Sequence, residues 1–349
     1  MEQINMKKYL KIIISGLMII LLNFSAFAVN DITGASKGEF SKVGAAGAQF
    51  LKIGVGGRAN AMGGAYVSIA NDLTSLFWNP AGLADIKSMS TNFSYTQWFA
   101  GFGHSFGAIS LPLGENFVSA LSITSFSSDK MTMTTDERPN GAGQFSVNDV
   151  SVGASISGYL TDQFSFGITF KYLNSSISNL SSSGIGFDVG TLYNTGIQGI
   201  KLGFAILNLG TQQKYAGQDL QSTKKLFEQL NAAPLDVQYL SSSYNIPLIF
   251  RAGATTDIIN EEDNKLLVAA DFITTSDIPE QLALGAEYTW NNLLSFRGGY
   301  VLGQNQFGLS GGVGINYIGG GFKGQIDYSI SPTVNIGLIN RISIGLSIE

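Results

Sequence analysis

The chain has 349 residues, 43 of them Gly, 23 Phe and 13 Tyr, and only 13% carry a charge, about half the share of an ordinary soluble domain. It has no Cys and one His, so disulfides and thiolate metal sites are excluded and a His-based catalytic centre would depend on His104 alone. The net charge of −5 gives no sign of nucleic-acid binding.

In chain order, Lys7, Lys8 and Lys11 precede an eleven-residue apolar core, 12–22, and a small-x-small site at 26–28. This pattern predicts a secretory signal peptide over 1–28, cleaved after Ala28. Its removal leaves 17 basic and 24 acidic residues, a net charge of −7. No apolar run of 18 or more follows, which argues against a helical membrane protein.

Residues 29–88 are not strand-like. The run Gly54-Val55-Gly56-Gly57-Arg58-Ala59 fits G-x-G-x-x-A, but no βαβ context surrounds it, so close packing explains the glycines better than a dinucleotide does. Short helical pieces broken by Gly and Pro are expected. Their apolar content, Ile53, Val55, Met62, Tyr66, Leu73, Phe77 and Trp78 among others, predicts a packed plug. Arg58 is expected to pair with Asp72, and Asp72 and Asn79 to cap plug helices. The run 78–83, with Trp78, Asn79, Pro80, Ala81 and Gly82, is expected to be the hinge leading into the first strand.

From about residue 89 the sequence alternates with period two. In 163–172, Phe164, Phe166, Ile168, Phe170 and Tyr172 share one face. Fourteen strands are predicted, at about 89–99, 103–113, 116–128, 144–160, 163–176, 184–194, 199–209, 246–257, 264–275, 281–291, 293–302, 307–318, 321–330 and 340–349. Many reach the length of a tilted membrane strand. Asp149, Lys171, Asp188, Lys201, Arg251, Asp271, Glu287, Arg297, Lys323, Asp327 and Arg341 take the parity opposite to the large apolar residues. In a membrane barrel that parity faces the lumen. The predicted fold is therefore all-β: a transmembrane antiparallel barrel of about 14 strands over 89–349, with the 29–88 plug inside. The lumen charges are expected to pair with the plug, because lone buried charges are costly.

An even strand count puts both termini at the periplasmic face. The longer connections, 129–143, 176–183, 210–245 and 331–339, then lie outside, and 222–230 is expected to hold a short amphipathic helix. Glu261, Glu262 and Asp263 form an acidic turn on the opposite side, expected to be solvated.

The stretch 50–84, FLKIGVGGRANAMGGAYVSIANDLTSLFWNPAGLA, resembles the N-terminal signature of the PorV/PorQ family of outer-membrane proteins, within the wider FadL-like barrel superfamily. Gly63 and Gly64 fall in its AMGGAYVSIAND piece, and Asn79-Pro80-Ala81-Gly82 resembles the NPA motif of FadL-type proteins. The resemblance implies a monomeric outer-membrane barrel acting in type IX secretion, with outer-membrane lipid, secreted cargo and other secretion components as partners. With no Cys, one His and no paired-carboxylate or acyl-transfer arrangement, no cofactor, no metal and no enzymatic activity are expected. A FadL-like transporter of hydrophobic small molecules is the alternative. The ending Ser347-Ile348-Glu349 departs from the terminal aromatic common in such barrels.

Overall fold

The computed structural model describes residues 46–348 apart from 198, 225–233 and 305; the signal-peptide expectation falls outside them. Fourteen antiparallel strands form a closed barrel. They are β1 Ser90–Gln97, β2 Phe102–Leu113, β3 Phe117–Ser128, β4 Val147–Thr161, β5 Phe164–Ile177, β6 Leu180–Asn194 and β7 Lys201–Gly210. The rest are β8 Ile249–Asn260, β9 Asn264–Thr275, β10 Ile278–Trp290, β11 Leu294–Leu302, β12 Leu309–Gly319, β13 Phe322–Thr333 and β14 Gly337–Ile348. Each strand pairs with its neighbours in sequence, and β14 closes the ring on β1, Ser347 opposite Ser90 and Asn340 opposite Gln97. Closure leaves no unpaired edge in lipid.

The alternation is physical. Phe93, Ile168, Phe204, Phe272, Phe296 and Ile344 point outward and are exposed, while Ser94, Thr169, Gly203, Asp271, Arg297 and Ser343 share the inward parity. Aromatic side chains flank the outer apolar band. Phe117, Tyr193, Trp290, Tyr317 and Phe322 lie beside the turns at the end that holds Ser90 and Ile348, and Tyr95, Phe99 and Tyr300 lie at the other. Such girdles mark the two membrane interfaces.

We call the first end the termini end and the second the loop end. Four boundaries differ from the sequence expectation. The segment 129–143 is no plain loop: Met131–Thr135 pairs with Arg138–Phe145 as a ribbon. The expected loop 176–183 shrinks to a two-residue turn, because Ser175 and Ser176 pair with Ser182 and Ser181. The expected loop 331–339 shrinks to 334–336. In these places polar residues carry the strands past the apolar band, so alternation of apolar residues fades before the hydrogen-bond ladder does. The expected helix over 222–230 begins instead as strand, with Gln221–Lys224 paired to Leu235–Gln238; its remainder lies outside the described residues.

The plug consists of tight turns and two very short helices, α1 Gly57–Ala61 and α2 Ser75–Trp78, with 3-10 turns at Gln49–Lys52 and Pro80–Asp85. Met62, Tyr66, Val67, Leu76, Trp78 and Leu83 are buried, and they form one apolar core with wall residues such as Phe106, Ala205, Ile249 and Ala283. At 25 cal/mol per Å2, burying side chains of this size contributes about 1.5–3 kcal/mol each. Small inward residues make the contact possible. A Cβ at Gly299 would meet the Met62 backbone, and one at Gly190 would meet Asn79.

Candidate functional site

The first described residues of the plug lie at the loop end, opposite the end that holds Ser90 and Ile348. The Gly47 N–H donates to the Asn245 carbonyl at 2.8 Å, and Gln49 Nε2 and Lys52 Nζ both reach Asp277 Oδ2 at 2.8 Å. Asp277 sits in the β9–β10 turn. From there the plug descends through the barrel to β1 at the termini end.

The glycine-rich turn comes next. Gly56, at φ 83°, takes a left-handed conformation open to glycine. The amides of Gly56 and Gly57 donate to Ser94 Oγ at 3.1 Å and Ser343 Oγ at 3.0 Å. The barrel wall therefore occupies two of the N–H groups that a phosphate would need. Gly63 and Gly64 also have positive φ and make the turn on which Met62 lies against Gly299.

Arg58 projects from α1 into the lumen charges. Its Nε and Nη2 each donate to a different oxygen of Glu287 at 2.8 Å. Glu287 also accepts from Arg297 Nε at 2.5 Å, and Arg297 Nη1 reaches Asp327 at 2.7 Å. Asp72 lies 3.9 Å from Arg58 and accepts from Tyr66 Oη at 2.6 Å and from the Thr74 N–H at 2.8 Å. Two guanidiniums and three carboxylates thus form one network across the plug and wall. Burial alone would lower the Arg58 pKa, but the neighbouring charges, Glu287 first, raise it well above its ordinary value, so Arg58 stays charged. Burial also pushes the Tyr66 phenol up, which keeps it a donor to Asp72.

Asp271 Oδ2 accepts from the Tyr66 and Val67 amides at 2.7 and 2.8 Å. Lys171 and Asp188 pair at 2.5 Å within the wall, where Asn208 also accepts from Lys171. Arg251 lies over the Trp78 ring at 4.7 Å, and Arg341 donates to Ser331 at 2.9 Å. These five and Glu287, Arg297 and Asp327 are eight buried wall charges. Asp149 and Lys201 are half-buried and Lys323 is exposed; all three sit near strand ends, where water reaches them. His104 is buried beside Phe126, with no partner for Nε2 among the described residues. Glu261, Glu262 and Asp263 are exposed in the β8–β9 turn.

Asn79 is wedged against the wall. Its Nδ2 donates to Val67 O at 2.8 Å and to Thr191 O of β6 at 3.1 Å, and its Oδ1 accepts from Ala81 N at 3.1 Å. Pro80 opens the following turn and Ala81 O receives the Ser157 hydroxyl. Gly82 packs so tightly on Ala70 that a Cβ there would collide with its carbonyl. Trp78 Nε1 bonds Val55 O at 2.9 Å.

Above the plug, toward the loop end, is a cavity of about 470 Å3. Phe50, Trp98, Phe126, Ile249, Ile273 and Phe307 supply apolar walls, Gly63, Gly64 and Trp78 the floor, and Arg251, Arg341 and Lys52 the charge. Sequence parity places Arg251 and Arg341 in the lumen, but the aromatic residues that join them come from turns and distant strands, and nothing in the sequence brings them together.

The model of the type IX secretion system protein PorV matches residues 36–279. The chain belongs to the PorV family. It is accordingly an outer-membrane β-barrel. No curated protein matches its sequence. Among solved structures the PorV-family barrel is similar to the toluene transporter TbuX of Ralstonia pickettii, at 13% identity and a TM-score of 0.53 over 85% of this chain and 99% of that one. It is also similar to the monoaromatic hydrocarbon channel CymD, at 13% identity and TM-score 0.57 over 85% and 98%. A third is the toluene transporter TodX of Pseudomonas putida, at 12% identity and TM-score 0.55 over 83% and 96%. At such identities the likeness is one of fold.

Proposed function

We propose that this barrel takes part in type IX protein secretion by receiving secreted cargo at its loop end and holding it at the outer membrane. The observation that carries this reading is the position of the cavity. It lies at the loop end, between the plug and the β1–β2 and β11–β12 connections, and the plug beneath it is fixed to the wall by the Arg58–Glu287, Asp271 and Asn79 contacts. A lumen closed below and hollow above suits an acceptor. A through-conduit needs a continuous path, whereas here charged and hydrogen-bonded groups fill the middle of the lumen. The membrane partners are lipid around the apolar band and, on this reading, other secretion components around the loops. The barrel works as a monomer.

The test is affinity capture of the tagged protein from outer membranes, read for secreted proteins, with Gln304→Trp as a variant that narrows the cavity mouth. Capture by the unaltered protein and its loss in the variant, at equal barrel yield, supports the reading. Absence of secreted proteins, together with uptake of a hydrophobic aromatic solute that depends on this protein, supports a transporter like those the fold resembles.

A further inference from the structure

Four neighbouring strands carry one row of inward polar side chains. Ser329 of β13 lies opposite Arg341 of β14, Arg341 opposite Thr96 of β1, and Thr96 opposite His104 of β2. All four residues are buried. Each has a polar atom with no hydrogen-bond partner among the described residues: Ser329 Oγ, Arg341 Nε, Thr96 Oγ1 and His104 Nε2. Buried polar groups are normally paired, and leaving one unpaired is costly. Arg341 adds an uncompensated charge. Glu287 holds Arg58 and Arg297, Asp188 holds Lys171, Asp277 holds Lys52, and Asp271 attracts Arg251. Arg341 has no ion pair among the described residues and bonds the Ser331 hydroxyl through Nη1. A lone buried guanidinium is costly without a counter-ion.

We propose that this row is a binding site for a small monovalent inorganic anion of the chloride class, held between Arg341, Thr96 and His104. Three features select it. Every unpartnered atom of the row can donate: the guanidinium Nε carries a hydrogen, the hydroxyls rotate, and a neutral imidazole can carry its proton on Nε2. A halide only accepts, so it conflicts with none of them. Its single negative charge matches the single guanidinium, whereas water would satisfy the donors and leave the charge. Directly opposite residues of an antiparallel pair have Cβ atoms about 4.5–5.5 Å apart, a spacing that suits one atom better than a branched carboxylate. The imidazole and the guanidinium are within electrostatic reach of each other, so one ion can meet both. Of the four residues, Arg341 alone also lines the loop-end cavity, which gives a hydrated ion its path to the wall. The role is structural. Strands β14 and β1 form the seam where the barrel closes, and an anion there neutralises Arg341 and ties the two sides of that seam together.

The test uses the full-length protein in detergent at fixed ionic strength, with sodium chloride replaced stepwise by sodium gluconate, whose anion is too large for the row. The melting midpoint is followed by circular dichroism and bound halide by the width of the chloride NMR line. Chloride is expected to raise the midpoint saturably, by about 3–5 °C in all, and bromide to replace it. Thr96→Val is expected to weaken the apparent affinity about tenfold, and Arg341→Gln to abolish both the rise and the line broadening. The chloride–gluconate comparison on the unaltered protein decides the matter even where a variant fails to fold. Equal melting in chloride and gluconate, a rise that grows with chloride without saturating, unchanged affinity in Thr96→Val, or an Arg341→Gln variant that keeps the full response overturns the proposal.

Discussion

Arg58 in the plug and Glu287 in strand β10 are 229 residues apart and meet through two parallel hydrogen bonds of 2.8 Å each. Glu287 shares one of those oxygens with Arg297, so plug and wall are joined through a carboxylate between two guanidiniums. Removing Arg58 leaves Glu287 and Asp327 to share the one guanidinium of Arg297, and breaking a buried pair costs at most about 3–5 kcal/mol. Arg58→Ala is therefore expected to lower the temperature at which the folded barrel converts to the slow-migrating unfolded form on a gel. The paired change Arg58→Met with Glu287→Gln is expected to lose less than Arg58→Ala, because the excess buried negative charge is gone and Arg297 keeps Asp327. A double variant no better than the single one would show that the pair does not anchor the plug.

Asn79 tests the second anchor. Its amide spans a plug carbonyl and a wall carbonyl, Val67 and Thr191, and leaving those groups unpaired costs about 1–3 kcal/mol. Asn79→Ala should lower barrel yield or heat stability and leave secretion per folded molecule unchanged. A normal heat-modifiable barrel that has lost cargo release would instead place Asn79 in contact with a passenger.

Two neighbouring glycines in β11 should behave oppositely. A Cβ at Gly299 would run into the Met62–Gly63 backbone, whereas one at Gly298 meets nothing within 4 Å. Gly299→Val is expected to displace the plug and raise ion conductance in planar bilayers, and Gly298→Ala to leave the barrel closed. Equal conductance in both variants would show that the plug is not seated on this wall.

The outward face is tested in β14, where Ile344 is exposed and the adjacent Ser343 is buried and bonds the Gly57 amide. An arginine on the lipid face near the middle of the bilayer costs about 2–4 kcal/mol. Ile344→Arg should reduce folding yield in lipid vesicles by that order, measured by urea titration, with little change in short-chain detergent. Loss in detergent equal to that in lipid would contradict the assignment of this face to the bilayer.

Much of this architecture is legible in sequence because lipid imposes it. Phe164, Phe166, Ile168, Phe170 and Tyr172 must alternate with small or polar residues for a strand to face lipid on one side, and that pattern needs no partner to be visible. The strand ends were less visible. Ser175, Ser176, Ser181 and Ser182 extend a hairpin that has left the apolar band, so the ladder continues without the signal that revealed it. The plug was visible only as a segment too apolar to be left in water. Arg58 and Asp72 are close in sequence and do approach, at 3.9 Å, yet the stronger partner of Arg58 is Glu287. That choice follows from where the turn at Gly56 and Gly57 meets Ser94 and Ser343, which no local pattern encodes. The cavity was equally hidden, since Trp98, Phe307 and Arg341 converge only after the barrel closes.

The central claim is that partner protein is received in the loop-end cavity. The most direct measurement is site-specific photo-crosslinking in living cells with a photoreactive residue at Phe307, at the stacked ring pair of the cavity, and at Tyr317, on the outer face at the termini end. The account predicts crosslinks from position 307 to secreted proteins and none from position 317. Folded barrels that give no secreted-protein crosslink at 307, or give the same products at both positions, would contradict it.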